Sequence, residues 1–251
     1  MKNFFALVLT IGLGVLFILS LNNNALFTPF GEADPSTSVS GDYIDKSVTD
    51  PTQPEIVYGE TTDAEDGAAN IVTSIVVDYR SFDTLGEVTV LFISSLGVAL
   101  LLGTSLKPKR LSLNFKPNFM LRVGSKALVG IILMVGVSII LHGHLTPGGG
   151  FPGGAMIASS ILLLYLADDS FRSKIQGFKI LEGTAGSLYV IIGLAGLALG
   201  TYFLQNFLPT GTVGDLFSAG ILPIVYILIG LKVGSEISGI IDNFLTEEGS
   251  L

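Results

Sequence analysis

Apolar residues gather in six stretches that are separated by polar segments of very different lengths. A helix that crosses the hydrocarbon core of a bilayer needs about 20 mostly apolar residues, and each stretch approaches that length. The stretches are residues 4–21, 85–103, 121–141, 151–167, 181–204 and 216–241. The pattern predicts an all-α integral membrane protein with six transmembrane helices.

Basic residues indicate the orientation of these spans. If both termini are cytoplasmic, 11 of the 13 Lys and Arg residues fall on the inner side, and only Lys46 and Arg80 fall outside. Because cytoplasmic loops carry an excess of Lys and Arg, we expect both termini in the cytoplasm.

A cleaved signal peptide is the alternative for residues 4–21. A retained span is favoured, since the run is longer than a usual signal-peptide core and no clean small-x-small cleavage site follows it.

Composition indicates a chain that is surrounded by lipid. Of its 251 residues, 49% are hydrophobic and 14% are charged, whereas a soluble domain has about 25% charged residues. The lack of Cys excludes disulfides, thiolate nucleophiles and iron–sulfur or thiolate–zinc sites. One acidic loop accounts for the net charge of −8, and basic strips with interleaved aromatics are absent. We therefore expect no nucleic-acid partner.

The long polar region between the first two stretches, residues 22–84, has two parts. Residues 22–69 are rich in Pro, Ser, Thr, Asp and Glu, a composition that predicts a mostly irregular external loop. Residues 70–83 show helical periodicity and predict an amphipathic helix at the outer interface, before span two. Its apolar stripe holds Ile71, Val72, Ile75, Val76, Tyr79 and Phe82, and its polar stripe holds Thr73, Ser74, Asp78 and Ser81.

Ionisable residues at the start of the second span are candidates for an ion path. Arg80, Asp83 and Glu87 stand at i, i+3 and i+7, on one helix face if the helix is unbroken. A carboxyl inside the membrane boundary is costly and usually functional, so Glu87 is the favoured group for loading a proton or a sodium ion. Asp78 is a further candidate. The alternative is a salt-bridge cluster that only fixes the depth of the helix.

A glycine-rich stretch follows the third span. Its motif consists of Pro147, Gly148, Gly149, Gly150, Phe151, Gly153 and Gly154. Because Gly and Pro break helices, we expect irregular backbone at membrane depth, which is tolerated where it lines a cavity or is buried in protein. His142 and His144 precede the motif and are either proton-relay groups or polar caps of the third span. No third ligand accompanies them, so no metal site is predicted.

The last spans carry one ion-pair candidate and several stripes of small residues. Lys232 and Glu236 are spaced i, i+4 and are ion-path candidates; Lys232 is either a buried ammonium or, as slightly favoured, snorkels to the cytoplasmic interface. Stripes of small residues could dock other subunits or pack within the chain. They comprise Gly186, Gly193, Gly196, Gly200, Gly230, Gly234 and Ser238. No catalytic or cofactor-binding motif is present, so we expect neither an enzyme nor a cofactor.

Two segments resemble known families. Residues 70–87, NIVTSIVVDYRSFDTLGE, resemble the E-subunit family of membrane-bound hydrogenases, which is similar to the C-terminal end of the large A-type component of Mrp/Mnh-type sodium/proton antiporters. Residues 143–154, GHLTPGGGFPGG, resemble the signature of the B-type (MnhB) component of those antiporters. The resemblance implies an E-type unit over residues 1–110, with two spans, fused to a four-span B-type unit over residues 111–251.

This resemblance implies an accessory subunit of a multi-subunit complex that moves sodium ions and protons across a bacterial or archaeal cytoplasmic membrane. Its partners would be other antiporter-like subunits, with or without hydrogenase or other redox subunits. Ser81 departs from the glycine expected at its position. An E-type unit joined to a B-type unit, rather than to the large A-type component, favours a hydrogenase-like or related respiratory complex. The alternative function is a purely structural scaffold with no part in the ion path.

Overall fold

The computed structural model describes residues 2–21, 39, 56–65, 67–102, 109–110, 117–168, 171 and 175–247. Its helices are α1 (Lys2–Leu21), α2 (Ile71–Thr73), α3 (Ser81–Leu102), α4 (Phe119–Leu141), α5 (Gly150–Ala167), α6 (Ile175–Leu199) and α7 (Leu222–Phe244), with a π-helical segment (Ser74–Tyr79) between α2 and α3. Two short strands, β1 (Lys109–Arg110) and β2 (Thr246–Glu247), form an antiparallel pair.

The predicted all-α membrane architecture is confirmed. Helices α3 to α7 are each long and apolar enough to cross a bilayer, and α1 contains a shorter apolar helix over residues 4–20. Several boundaries differ from the sequence prediction: α3 begins at Ser81 instead of residue 85, α6 spans Ile175–Leu199 instead of residues 181–204, and α7 begins at Leu222 instead of residue 216. Helix α1 belongs to a separate compact unit, residues 1–45, and its side chains from Phe4 to Leu19 are exposed within that unit.

Helix α7 is the centre of the second unit, residues 46–251. It packs against α5 on one side and against α6 and α3 on the other, while α4 packs on α5. Most residues of α7 are buried, whereas α3 buries few. The loop end of this bundle is formed by residues 142–149 and 200–221, and the opposite end by the start of α4 and α6.

Glycines allow α5 to approach both of its neighbours. A Cβ on Gly154 would lie 2.8 Å from the Gly230 carbonyl oxygen, and one on Gly153 would lie 2.8 Å from the Gly136 carbonyl oxygen. On α6, a Cβ on Gly196 would lie 2.7 Å from the carbonyl oxygen of Gln205. Helices in lipid associate closely where small residues meet. These stripes therefore pack within the chain, which answers the question that the sequence left open.

The amphipathic segment before α3 turns its polar side inward. Thr73 and Ser74 are buried, while Val72 and Phe82 are 61% and 70% exposed. In a membrane protein the surroundings are apolar, so polar groups are satisfied inside the protein and apolar groups face outward. The segment is also not one helix, since the π-helical turns end at Arg80, whose φ of −122° and ψ of 35° separate them from α3.

Part of the predicted irregular loop is ordered. Residues 56–65 lie along residues 210–214: the Gly59 amide donates to the Val213 carbonyl at 2.8 Å, and the Val213 amide donates to the Thr61 carbonyl at 2.9 Å. Thr62 and Thr212 form an antiparallel bridge. Residues 22–38 and 40–55, over which an irregular loop was also predicted, lie outside the described residues. The loop end is therefore closed by backbone pairing between distant parts of the sequence.

We expect Gly154→Ala to destabilise the bundle by about 1–3 kcal/mol, the usual cost of overpacking. The added methyl would meet backbone atoms of Gly230 and Gly234, which have little freedom to move. Thermal unfolding of the full chain in its membrane complex, followed by near-UV circular dichroism, measures the change. Gly130→Ala is the matched control, because nothing lies within 4 Å of a Cβ there. An equal loss of thermal stability in Gly154→Ala and Gly130→Ala would contradict the close packing of α5 against α7.

Candidate functional site

The glycine-rich motif and Glu87 meet at one cleft of about 180 Å³ beside the loop end. Its walls come from the π-helical segment, α3, the loop before α5, the start of α5 and α7. The lining residues are Val76, Val77, Thr84, Glu87, Gly148, Gly149, Gly150, Phe151, Pro152, Tyr226 and Ile229. The sequence presented Glu87 and the glycines as two separate clusters, and the fold brings them together.

The ring of Tyr226 explains why glycines occupy this loop. A Cβ on Gly143 would lie 2.8 Å from Tyr226 Cε2, and one on Gly149 would lie 2.8 Å from Cε1. Gly149 also has a φ of +121°, a conformation that side-chain-bearing residues rarely adopt. The loop thus wraps around one aromatic ring that projects from α7.

Helix α5 begins earlier than the glycine-rich motif indicated. Residues 142–149 are irregular, as predicted, but Gly150–Ala167 is α-helix and includes Pro152. The expectation of irregular backbone is therefore wrong for residues 150–154. Proline is tolerated in the first helical turn, because the amide it lacks would have no partner there. The motif glycines in this turn serve close helix packing.

A chain of hydrogen bonds fixes the loop to α7 and to the segment before α3. The Tyr226 hydroxyl donates to Thr73 Oγ1 at 2.8 Å, and the Thr73 hydroxyl donates to the Gly143 carbonyl at 2.7 Å. The Asn70 side-chain amide donates to the carbonyls of Gly143 and Thr146, each at 3.0 Å. Sequence analysis did not predict these anchors, because Thr73 and Tyr226 have no feature that distinguishes them from ordinary helix residues.

The three charged residues predicted to share a face do so only in part. Arg80 Nη2 lies 2.5 Å from Asp83 Oδ2, and its Nε donates to the same oxygen at 2.7 Å. Both side chains are about half exposed. Arg80 precedes α3, whereas Asp83 and Glu87 both lie on it and are exposed. Asp78 is half-buried in the π-helical segment and does not line the cleft.

The two histidines lie beside the cleft rather than in it. His142 is half-buried, and its Nδ1 donates to the Ser138 carbonyl at 2.9 Å, within its own helix end. His144 is fully buried, and its Nε2 donates to the Asp215 carbonyl at 3.3 Å. Burial lowers the pKa of His144 below its ordinary value of 6.5. In the described residues, no group of three metal-ligating side chains includes either ring.

Lys232 does not snorkel, contrary to the favoured sequence interpretation. It is 8% exposed, and its Nζ lies 2.5 Å from Glu236 Oε1, where the Glu236 side chain is fully buried. The side chain extends along Gly186 of α6, where an added Cβ would lie at an ordinary contact distance of 3.6 Å from Lys232 Cδ, Cε and Nζ. The pair lies near the middle of α7 and does not line the cleft.

Family models match most of this second unit. A model described as a domain related to the MnhB subunit of Na+/H+ antiporters matches residues 120–239. A model named MbhE, which describes the E-type component of MBH, matches residues 43–117. The glycine-rich motif and Lys232 fall within the first match, and Glu87 falls within the second.

Curated relatives agree with these matches. The B-type component of a Na+/H+ antiporter from Alkalihalophilus pseudofirmus is 36% identical over 99 residues, covering 38% of this chain and 68% of that protein. An uncharacterized protein of Methanocaldococcus jannaschii is 32% identical over 194 residues, covering 67% of this chain and 74% of that protein. The second alignment extends well beyond the B-type region.

Solved structures show the same fold in multi-subunit complexes. A chain of the membrane-bound sulfane sulfur reductase, an archaeal respiratory membrane complex, is 42% identical, with a TM-score of 0.76 over 98% of this chain and 99% of that one. A chain of the Mrp complex from a Dietzia species, 22% identical, shares the fold with a TM-score of 0.68 over 98% of this chain and 26% of that one. This protein is thus a multi-pass membrane subunit that belongs to the MnhB-related family of Na+/H+ antiporter subunits, with an MbhE-type region preceding the MnhB-related one.

Proposed function

We propose that this chain is an accessory subunit of a sodium/proton-translocating complex in the cell membrane of a bacterium or archaeon. It has no catalytic site or cofactor of its own and contributes to a cation path and to packing between subunits. The 42% identity to a chain of an archaeal respiratory complex, over nearly the whole of both chains, favours a complex that also contains redox subunits. Its ions are sodium and protons, as the names of its antiporter relatives suggest.

The position of Glu87 supports this function most directly. Glu87 lies six residues into α3, about 9 Å along the helix axis at about 1.5 Å per residue. Its side chain is exposed on this chain and borders the cleft under the glycine-rich loop. A carboxylate facing hydrocarbon is costly, so it requires a partner subunit or a water-filled path beside it. Both requirements favour an ion path between subunits at Glu87.

The structural scaffold is the second candidate function, and the outer surface of α3 favours it. Val90, Ile93, Leu100 and Leu101 are 60% to 81% exposed, which leaves a broad apolar face that lipid or another subunit must cover. This face lies on the same helix as Glu87. Subunit docking and ion passage are therefore compatible in one chain.

The division into an E-type unit, residues 1–110, and a B-type unit, residues 111–251, belongs to this proposal. The two family matches support it, since one ends at residue 117 and the other begins at residue 120. The hydrogen bonds from Asn70 and Thr73 to the glycine-rich loop join the two units at the site. Residues of both the E-type unit and the B-type unit therefore line the cleft.

His144 closes the loop end and is not a relay group in this proposal. Its ring is fully buried, and it donates to the backbone of residue 215, which holds residues 210–218 against the glycine-rich loop. Burial keeps the ring neutral near pH 7, because it lowers the pKa. A neutral, dry histidine is suited to positioning a loop.

Glu87→Gln is expected to reduce sodium-dependent proton transport roughly 100-fold, within the usual range for a positioned proton-transfer group. The amide keeps the size of the side chain but cannot take up or release a proton. Transport is measured with a pH-sensitive dye in vesicles that contain the whole complex. Glu87→Asp, which keeps a carboxyl, is expected to retain part of the activity.

Assembly of the complex is measured in parallel by native gel electrophoresis. A fully assembled Glu87→Gln complex with normal transport would exclude Glu87 from the ion path. If both Glu87 variants lost the partner subunits instead, the scaffold function would account for the residue.

Acidification is expected to loosen residues 210–218. The pKa of His144 is lower in the folded chain than in the unfolded one, so the unfolded segment takes up the proton more readily. The contribution of His144 to the stability of the folded segment is complete above the ordinary histidine pKa of about 6.5. It declines as the pH falls toward the lower pKa that His144 has in the folded chain. Amide hydrogen exchange of residues 210–218, measured from about pH 7.5 to about pH 5.5 and corrected for intrinsic rates, reports the loss of protection on either side of the ordinary histidine pKa. His144→Gln should remove the pH dependence, and unchanged protection in the native protein would contradict the role of this histidine.

A further inference from the structure

A second ionisable cluster lies between α6 and α7, outside the cleft. Lys232 Nζ and Glu236 Oε1 are 2.5 Å apart within the bundle. The other carboxylate oxygen, Glu236 Oε2, is also buried, and it has no hydrogen-bond partner among the residues that the structure describes. A buried carboxylate oxygen without a partner is unusual, because desolvation of a charged group costs several kcal/mol in an apolar interior.

Two further elements surround the ammonium. On α3, the ring of Phe92 lies 4.9 Å from Lys232 Nζ, a cation–π contact that replaces part of its hydration. On α6, a Cβ at Gly186 would lie 3.6 Å from Cδ, Cε and Nζ of Lys232. Glu182 precedes Gly186 by one helical turn and is half-buried. Lys232 acts electrostatically on Glu182 as well as on Glu236.

Glu182 connects this cluster to a cavity. A cavity of about 280 Å³ lies between α3, α6 and α7, and its walls include Ser95, Lys179, Glu182 and Ser235. At about 30 Å³ per water molecule, it has room for several waters. The Lys179 side chain, near the start of α6, is exposed. Charges thus alternate from the surface inward in the order Lys179, Glu182, Lys232 and Glu236.

We propose that Glu182, Lys232 and Glu236 form a proton-loading site, in which Glu236 stores a proton that enters through the cavity at Glu182. The cavity of this site lies near the start of α6, whereas the Glu87 cleft lies at the loop end. Nothing in the resemblance to antiporter subunits assigns this role to these three residues.

The proton moves in two balanced steps. Lys232 gives one N–H proton to Glu236 Oε1, so that an N–H bond breaks, an O–H bond forms and both groups become neutral. Glu182 takes up a proton that enters from bulk solvent as hydronium and is passed along the cavity waters, which are left as neutral water. The flexible lysine side chain then turns to Glu182 and receives that proton on Nζ, so that the O–H bond of Glu182 breaks and an N–H bond forms. At the end Glu236 is protonated, Lys232 is again an ammonium, and Glu182 is again a carboxylate.

A proton fits this site better than a sodium ion. The ammonium of Lys232 already occupies the position beside Glu236 Oε1 that a metal ion would take. The remaining neighbours from α3, Phe92 and Ser95, do not titrate. Tyr165 of α5 and Asp242 of α7 form a separate pair, in which the hydroxyl donates to the carboxylate. Among the described residues, the charged groups at the site are Lys179, Glu182, Lys232 and Glu236.

This inference rests on the proposed function, since a loading site requires a complex that moves protons. The test uses the whole complex in vesicles, with Lys232→Met/Glu236→Leu as the main variant. Replacing a buried ion pair with apolar residues of similar size usually leaves a protein folded. We expect normal assembly and a loss of proton transport of roughly 100-fold. Lys126→Met is the control for the loss of one exposed Lys, and it should leave transport unchanged.

Normal transport in the assembled double variant would overturn the proposal and show that the Lys232–Glu236 ion pair has only a structural role. If the double variant fails to assemble, Glu182→Gln takes its place, because Glu182 is only half-buried and borders the cavity. Unchanged transport in assembled Glu182→Gln would equally overturn the relay. A loss of transport with normal assembly, in either variant, supports it.

A spectroscopic readout is independent of transport. Infrared difference spectra between alkaline and acidic pH should contain a carboxylic C=O band from a buried protonated group, and this band should be missing in the double variant. A band that persists would contradict storage at Glu236. Transport by Glu87→Gln is measured alongside. If transport is lost in Glu87→Gln but normal in the Lys232/Glu236 double variant, only the loading site is refuted. The reverse result refutes the Glu87 path alone.

Discussion

The close approach of α5 to α7 is the contact on which the rest of the bundle depends. At Gly154 the two backbones come so near that a single added Cβ would lie 2.8 Å from the Gly230 carbonyl oxygen. In lipid no hydrophobic force drives helices together, so dispersion contacts at such short range must do so. This packing encloses one side of α7, and α6 and α3 enclose the other. Only a helix covered on both sides can hold an ion pair such as Lys232 and Glu236 within an apolar bundle.

The same packing positions the candidate ion path. Because α5 begins directly against α7, the preceding loop has to fold over the Tyr226 ring, and glycines at 143 and 149 are the residues that fit there. The loop then forms one wall of the cleft that Glu87 borders from α3. Hydrogen bonds from Asn70 and Thr73 hold the segment before α3 to this loop. The E-type and B-type regions thus share one polar junction at the loop end.

Residues whose role depends on their neighbours were the ones that sequence reasoning placed incorrectly. The stripe of Thr73 and Ser74 was expected on the polar outer side of an interfacial helix, yet both residues are buried, because the interior supplies their hydrogen-bond partners and lipid does not. Lys232 was expected to reach the interface, but its ammonium lies over the ring of Phe92 on α3 and is paired with Glu236, which neutralises its charge. The i, i+4 spacing indicated Glu236 as a partner, but the contact with Phe92 of α3 could not be assigned from spacing along the chain.

The sequence by itself determined the membrane class, the number of long apolar helices and the family, since each follows from local runs of residues. Apolar length alone specifies a spanning helix, and the motifs at residues 70–87 and 143–154 are continuous in the chain. Only the tertiary structure decided which sides of the helices face each other, where α5 begins and that Glu87 lies beside the glycine-rich loop. Those features arise from contacts between residues about 60 to 150 positions apart. The energy of such contacts depends on interlocking shapes and on hydrogen-bond partners, which no local pattern of apolar and polar residues encodes.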